Sequence, residues 1–189
     1  MISAKLIGYT QPSIHVGAST PEELISYAAR VSNPSNQENY DTAEGLLKYC
    51  IRNKHFSIFE MVNAVVQIKA PRDITRQMLR HRSFSFQEFS QRYSDEIEFC
   101  DREVRMQDKT NRQNSTPCED LNIIQEFEYG TTAVTEALKD AYKRLRKLDV
   151  AKEVARVILP EGLTLSTLYA NGTLRSWMHY LEVREDIST

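Results

Sequence analysis

The chain has 189 residues, 41% hydrophobic and 26% charged, with a formal net charge of −2. That balance suits one globular domain, predicted over residues 1–189, and argues against a general nucleic-acid binder, which carries an overall basic balance or a broad basic face. No run of about 18 apolar residues exists, so no transmembrane helix is predicted, and the opening MISAKLIGYTQPS lacks the apolar core of a secretory signal.

Ile2 to Tyr9 reads as a first or edge strand. Thr20-Pro21-Glu22-Glu23 reads as a helix start, with Leu24, Ala28 and Val31 on the buried face. Residues 32–40 form a loop. Asp41 with Glu44 is expected to cap the next helix, whose inner face carries Leu47, Cys50 and Ile51. From Val62 to Ala70 apolar and polar residues alternate, which predicts a half-buried strand. Pro71 is expected to open a helix reaching about His81. Residues 101–120 are highly polar and read as a long excursion.

An amphipathic helix is predicted from about Leu121 to Leu148, with Gly130 its weak point. Asp149 is expected to cap a short helix ending before Pro160. Leu163 to Tyr169 reads as a strand, Asn171-Gly172 as a turn, and Leu174 to Val183 as a helix with Leu174, Met178 and Leu181 inward. Helices and strands mix without βαβ regularity. The predicted class is α+β.

Only six glycines occur, with no GxGxxG and no Walker loop, so a phosphate must be held without a glycine cradle. Cys50, Cys100 and Cys118 show no metal-ligand spacing, nor do the four histidines; no metal is expected, and a reducing, cytoplasmic setting is the simplest reading. Cys50 is expected in the core, as are Phe56, Phe84 and Trp177.

The chemistry concentrates in RHRSFSFQEFSQRY, residues 80–93. Arg72, Arg76 and Arg80 at i, i+4, i+8 are expected on one helix face, with Gln77 adjoining it. Glu88, Ser90 and Arg92 alternate with Phe86, Phe89 and Tyr93, as if aromatics anchored converging polar groups. Guanidinium forks suit phosphate oxygens. A ligand with several phosphates would supply the missing negative charge.

Arg80-His81-Arg82 followed by Ser85, Glu88, Ser90 and Arg92 resembles the RHRxxSxNExSxR signature of the flavin-dependent thymidylate synthases. Seven of its eight fixed positions match, with Gln87 where the signature has Asn. His55-x-Ser57-x-Phe59-Glu60 resembles the family's HxSxFE-type segment. Ala155-Arg156 before Leu159-Pro160 is similar to its later nucleotide-binding arginine. Leu174-Arg175-Ser176, His179 and Val183-Arg184 resemble its C-terminal LRSxxHFLELR segment.

The resemblance implies methylation of dUMP to dTMP, with methylenetetrahydrofolate as carbon donor and NADPH-reduced FAD as hydride source. It implies dUMP contacts from Gln77, Met78, Leu79, Arg80, Glu88, Phe89, Ser90, Gln91, Arg92, Arg156 and Arg184, with Arg184 catalytic. It implies FAD contacts from His55, Ser57, Arg80, His81, Arg82, Ser83, Glu88, Thr173, Leu174, Arg175 and His179; Thr173 stands where many relatives have Asn. It further implies a central, mostly antiparallel sheet flanked by helices, and a homotetramer with active sites at subunit interfaces. Two other readings stay open: a nucleotide- or RNA-binding strip from Arg72 to Arg92 with Phe84, Phe86 and Phe89, and an oligomerisation domain whose arginines pair with a neighbour's acids.

Overall fold

The structure is a computed structural model that describes residues 2–185. After β1 (Ser3–Tyr9), α1 (Pro21–Ala29) starts with a capping box. Thr20 Oγ1 accepts from the Glu23 N–H at 3.2 Å, and the Glu23 carboxylate accepts from the Thr20 N–H at 3.2 Å. The helix stops before Val31, which is exposed. Ile25 and Ser26 carry the buried face instead. Arg30 is buried at the helix end and donates to the Asn39 carbonyl and to Thr42 Oγ1, tying down the expected loop.

A 3-10 turn at Tyr40–Thr42 precedes α2 (Ala43–Arg52), so Thr42 occupies the cap position and Asp41 does not cap this helix. The inner face is Ala43, Leu47 and Cys50, while Ile51 turns outward. Ile25, Leu47, Cys50, Phe59 and Val62 form the core cluster, with Phe56, Leu174 and Met178 packed against it.

The expected alternating strand is β2 (Asn63–Pro71). Pro71 closes it, and α3 (Arg72–Met78) is only seven residues long. It ends before Arg80 because the chain must become extended again for β3 (Phe84–Glu88). Arg80 therefore lies off the helix that carries Arg72 and Arg76.

The polar excursion holds an antiparallel hairpin, β4 (Arg105–Gln107) against β5 (Ser115–Pro117), with Met106 opposite Thr116. Asp108 organises its loop: Oδ1 accepts from the Thr110 N–H at 2.7 Å and the Asn111 N–H at 3.0 Å. These backbone bonds lower the Asp108 carboxyl from the ordinary 3.8 to about 2.

α4 (Leu121–Lys147) runs unbroken through Gly130, since one helical glycine costs only about 1 kcal/mol. Asp149 does not cap the next helix. Its φ of 55° makes it a left-handed joint, and α5 (Lys152–Ala155) starts at Ala151 without a side-chain cap. A 3-10 turn, Arg156–Ile158, follows.

β6 (Leu165–Thr173) passes straight through Asn171-Gly172, where a turn was expected. Gly172 serves close packing there: an added Cβ would stand 2.4 Å from Phe84 Cδ1. In α6 (Leu174–Glu185), Leu174 and Met178 face the core as expected, whereas Leu181 is exposed.

The fold is α+β, an antiparallel sheet flanked by helices, with strand order β1-β2-β6-β3. Among the described residues no helix is long and apolar enough to cross a membrane. The chain groups into two compact units. One, the α4 unit, comprises Lys69–Met78 and Glu88–Thr167 with the first few residues. The other, the α6 unit, comprises Ala4–Ile68, Leu79–Gln87 and the chain from Leu168 onward.

Candidate active site

The α4 unit carries Gln77, Met78, Glu88, Phe89, Ser90, Gln91, Arg92 and Arg156. Glu88 is held by two hydroxyls: its Oε1 accepts from Ser166 Oγ at 2.9 Å and Thr75 Oγ1 at 3.2 Å. Both donors are buried. Thr75 has one proton to share between Glu88 and the Arg72 carbonyl at 3.1 Å. The carboxylate is thus fixed in place.

Arg92 Nη2 lies 3.0 Å from the Glu153 carboxylate, and Arg156 Nε donates to the Glu153 carbonyl at 3.4 Å. One residue therefore gathers two of the expected guanidiniums. Ser90 Oγ accepts from the Arg92 N–H at 3.3 Å. Gln91 is buried and accepts from Arg72 Nη1 at 3.0 Å; Met78 is buried as well. Gln77 is exposed.

Part of the negative charge that the arginine cluster needs is supplied within the chain. Arg92 pairs with Glu153, and Arg76 pairs with Glu161 at 2.6 Å, within the chain itself. The aromatic anchoring is also only partial: Phe86 is half-buried, but Tyr93 is 84% exposed. Arg76 and Arg92 are engaged by carboxylates and Phe84 packs among aromatics, which speaks against the reading as a basic stacking strip.

The α6 unit holds Arg80, Leu79, Arg184 and, apart from Glu88, every residue expected to hold the flavin. A cavity of about 620 Å³ is lined by Ile51, Phe56 and Met178, and by Ser83, Arg175 and His179 among its polar groups. Arg175 Nη1 donates to the Glu60 carboxylate at its edge. Ser176 Oγ donates to the Ser83 carbonyl at 3.2 Å, fixing the start of α6 to the turn after Arg82. Thr173 Oγ1 accepts from the Ser176 N–H at 3.2 Å, so its hydroxyl caps α6. Leu174 goes to the core. His55 and Ser57 flank Phe56 and are exposed; His55 meets the Tyr49 ring edge-on at 6.0 Å.

Beside this lies a second cluster. Arg184 Nη2 stands 3.4 Å from His81 Nε2, and Arg184 Nε is buried with no hydrogen-bond partner. Among the described residues, Arg80, Arg82, Arg156 and Arg184 have no carboxylate in ion-pair range. Burial, then the neighbouring Arg184, His179 and Arg80 charges, pushes the His81 pKa down. A guanidinium only donates, so the Arg184–His81 contact requires a neutral imidazole with Nε2 as acceptor and the proton on Nδ1.

Three residues of these sites escaped sequence reasoning. Thr75 and Ser166 hold Glu88 from 13 and 78 residues away, and no local pattern marks them. Tyr180 packs on His81, and a signal for it existed: it stands four residues before Arg184 on one helix.

The fold is shared with solved nucleotide methylases. The UMP/dUMP methylase PolB from Streptomyces cacaoi, solved with 5-Br dUMP, is 28% identical at a TM-score of 0.75, covering 96% of this chain and 76% of that one. Its structure with 5-Br UMP gives 0.76 at the same identity, covering 96% and 75%.

The family model described as "Thymidylate synthase complementing protein" matches residues 7–188, and the chain belongs to that family. A "Probable flavin-dependent thymidylate synthase" of Paramecium bursaria Chlorella virus 1 is 48% identical over 195 aligned residues, spanning 100% of this chain and 87% of the relative. The flavin-dependent thymidylate synthase of Synechocystis is 45% identical over 190, again spanning 100% and 87%.

Proposed function

We propose that the chain methylates the uracil 5-position of dUMP to give dTMP, with methylenetetrahydrofolate as carbon donor and NADPH-reduced FAD as hydride source. The observation that carries this reading is Arg184, a half-buried cation with an orphaned Nε, no carboxylate partner among the described residues and a neutral histidine beside it. Such a group suits an anion that forms only with substrate.

The α6-unit cavity fits a flavin. Its volume lies in the usual range of ligand sites, roughly 300–1,000 Å³. Ile51, Phe56 and Met178 offer apolar walls to a fused ring; Arg175, His179 and Ser83 offer donors to its oxygens or phosphates. His55, Ser57, Arg80, His81, Arg82, Glu88, Thr173 and Leu174 complete the flavin set that the resemblance implies. FAD, when bound, supplies the hydride.

Toward dUMP, Arg92 and Arg156 receive the phosphate in place of their contacts to Glu153, with Ser90 as a further donor. Gln77, Met78, Leu79, Arg80, Phe89 and Gln91 complete the dUMP set that the resemblance implies. Glu88, held by Thr75 and Ser166, is a further dUMP contact that the resemblance implies. Arg184 donates to the uracil carbonyl region and stabilises the enolate-like charge that builds there, keeping its own proton.

The working form is a homotetramer with sites at subunit interfaces. The outward Leu121, Val134 and Phe127 of α4, 70%, 50% and 38% exposed, support such burial.

The test is an absorption spectrum of the purified protein with FAD and then dUMP, after desalting, followed by product analysis. A retained flavin spectrum perturbed by dUMP, with dTMP formed, is expected. Removing a group that stabilises transition-state charge costs about 10²–10³ in kcat, so Arg184→Ala should keep flavin and lose turnover by that order. Unchanged dTMP formation in that variant overturns the role of Arg184.

A further inference from the structure

We propose that Tyr180 is a positioning residue that holds the Arg184 guanidinium and the His81 imidazole in register with each other. The inference rests on the reading of Arg184 just given, and extends it to a residue that neither the signature nor that reading assigns.

The geometry is a short chain of contacts within the α6 unit. The Arg184 guanidinium carbon stands 5.7 Å from the Tyr180 ring centroid, within the range where a cation is attracted to the ring face. The His81 ring meets the same tyrosine edge-on, with centroids 4.9 Å apart and planes at 75°. One phenol ring therefore touches both partners of the 3.4 Å Arg184–His81 contact.

The ring is itself held. Phe84 approaches it at 5.9 Å and Trp177 at 6.2 Å, and those two pack on each other at 4.6 Å. The Trp177 indole N–H donates to the Ala64 carbonyl at 3.1 Å, anchoring the cluster to β2. Phe84 in turn occupies the space that Gly172 leaves on β6.

Without Tyr180, a guanidinium on the last described turn of a helix would sweep through its rotamers. Its hydrogen-bond contact, His81, is a weak anchor at 3.4 Å. The groups facing His81 are Arg184, Arg80, His179 and Tyr180; three are cationic or can become so. The cations keep the imidazole neutral, and the tyrosine ring attracts the guanidinium without adding a charge beside it.

Tyr180→Leu and Tyr180→Phe test this, with two readouts on the full chain. The first is kcat and KM for dTMP formation. The second is NMR titration of the four histidine rings, which reports Arg184 beside His81 without any turnover. Tyr180→Leu should lower kcat about 10-fold, flavin content unchanged, and move the His81 titration up toward the ordinary histidine value as Arg184 leaves. Tyr180→Phe keeps the ring and should restore both.

If the wild-type chain makes no dTMP, the functional reading fails while the titration still decides the geometry. An unshifted His81 titration in Tyr180→Leu overturns the proposal, as does an equal defect in Tyr180→Phe.

Discussion

The two units are built on different interactions. The α4 unit is a network of ion pairs and polar contacts: Arg72 on Gln91, Arg76 on Glu161, Arg92 on Glu153, Arg102 on Asp73, and Arg146 with Lys152 on Asp95. The α6 unit is apolar and aromatic, with the Ile25–Leu47–Cys50–Phe59–Val62 core and the Phe84–Trp177–Tyr180–His81 cluster. Each suits the contacts proposed on it. Exposed ion pairs contribute only about 0–1 kcal/mol each, so a phosphate can replace Glu153 as the partner of Arg92 at little cost. An aromatic wall cannot be exchanged that way, and it suits a flat ring and a cation held in one orientation.

The largest break in this contrast should come from Gly172→Ala. The new Cβ would overlap the Phe84 ring, which is wedged against Trp177. Overpacking of this kind costs about 1–3 kcal/mol. The melting temperature and flavin retention should fall together, and adding salt should not change the size of the loss. A melting curve like that of the wild type would mean that Phe84 can swing away.

Glu88→Ala acts on the other unit and should cost less. Thr75 keeps the Arg72 carbonyl, but Ser166 Oγ loses its acceptor in a buried place. An unsatisfied buried hydroxyl costs about 1–3 kcal/mol, and the low end applies because the cavity left can admit water. Flavin retention should fall and the apparent KM for dUMP should rise, since the resemblance implies Glu88 contacts to both. Unchanged flavin retention and an unchanged KM for dUMP would contradict the proposed role of Glu88.

The smallest effect belongs to the β4–β5 hairpin. The Asp108 carboxyl titrates at about 2, below its ordinary 3.8, because backbone N–H groups hold its anion. A lowered folded-state pKa adds stability above the unfolded value. That stability is lost as pH falls from 3.8 toward 2. Amide shifts of Thr110 and Asn111 should report local loosening in that window, and Asp108→Asn should remove the pH dependence. Amide shifts that stay flat to pH 2 in the wild type would contradict the hydrogen-bonded loop.

Local physics was legible along the chain. The α1 capping box, the alternation of β2, the outward and inward sides of α2 up to Cys50, and the spacing from Arg80 to Arg92 all follow from neighbours within a few residues. Errors fell where a long-range partner overrode a local rule. Asn171-Gly172 has turn chemistry, yet Phe84 from another strand needs the space above Gly172. Pro71 has a helix-start signature, yet the strand runs to it and leaves a helix too short to carry Arg80.

Residue types, their order and their spacing were enough for the α+β class and the family. Those depend on side-chain chemistry and on hydrogen bonds within one or two turns. The tertiary structure decided which arginines are already neutralised, which hydroxyls hold Glu88, and that Tyr180 joins His81 to Arg184. The Glu88, Arg76 and Tyr180–His81 contacts join residues 13 to 99 positions apart. Only folding brings such groups within the few ångströms over which hydrogen bonds, ion pairs and ring contacts act.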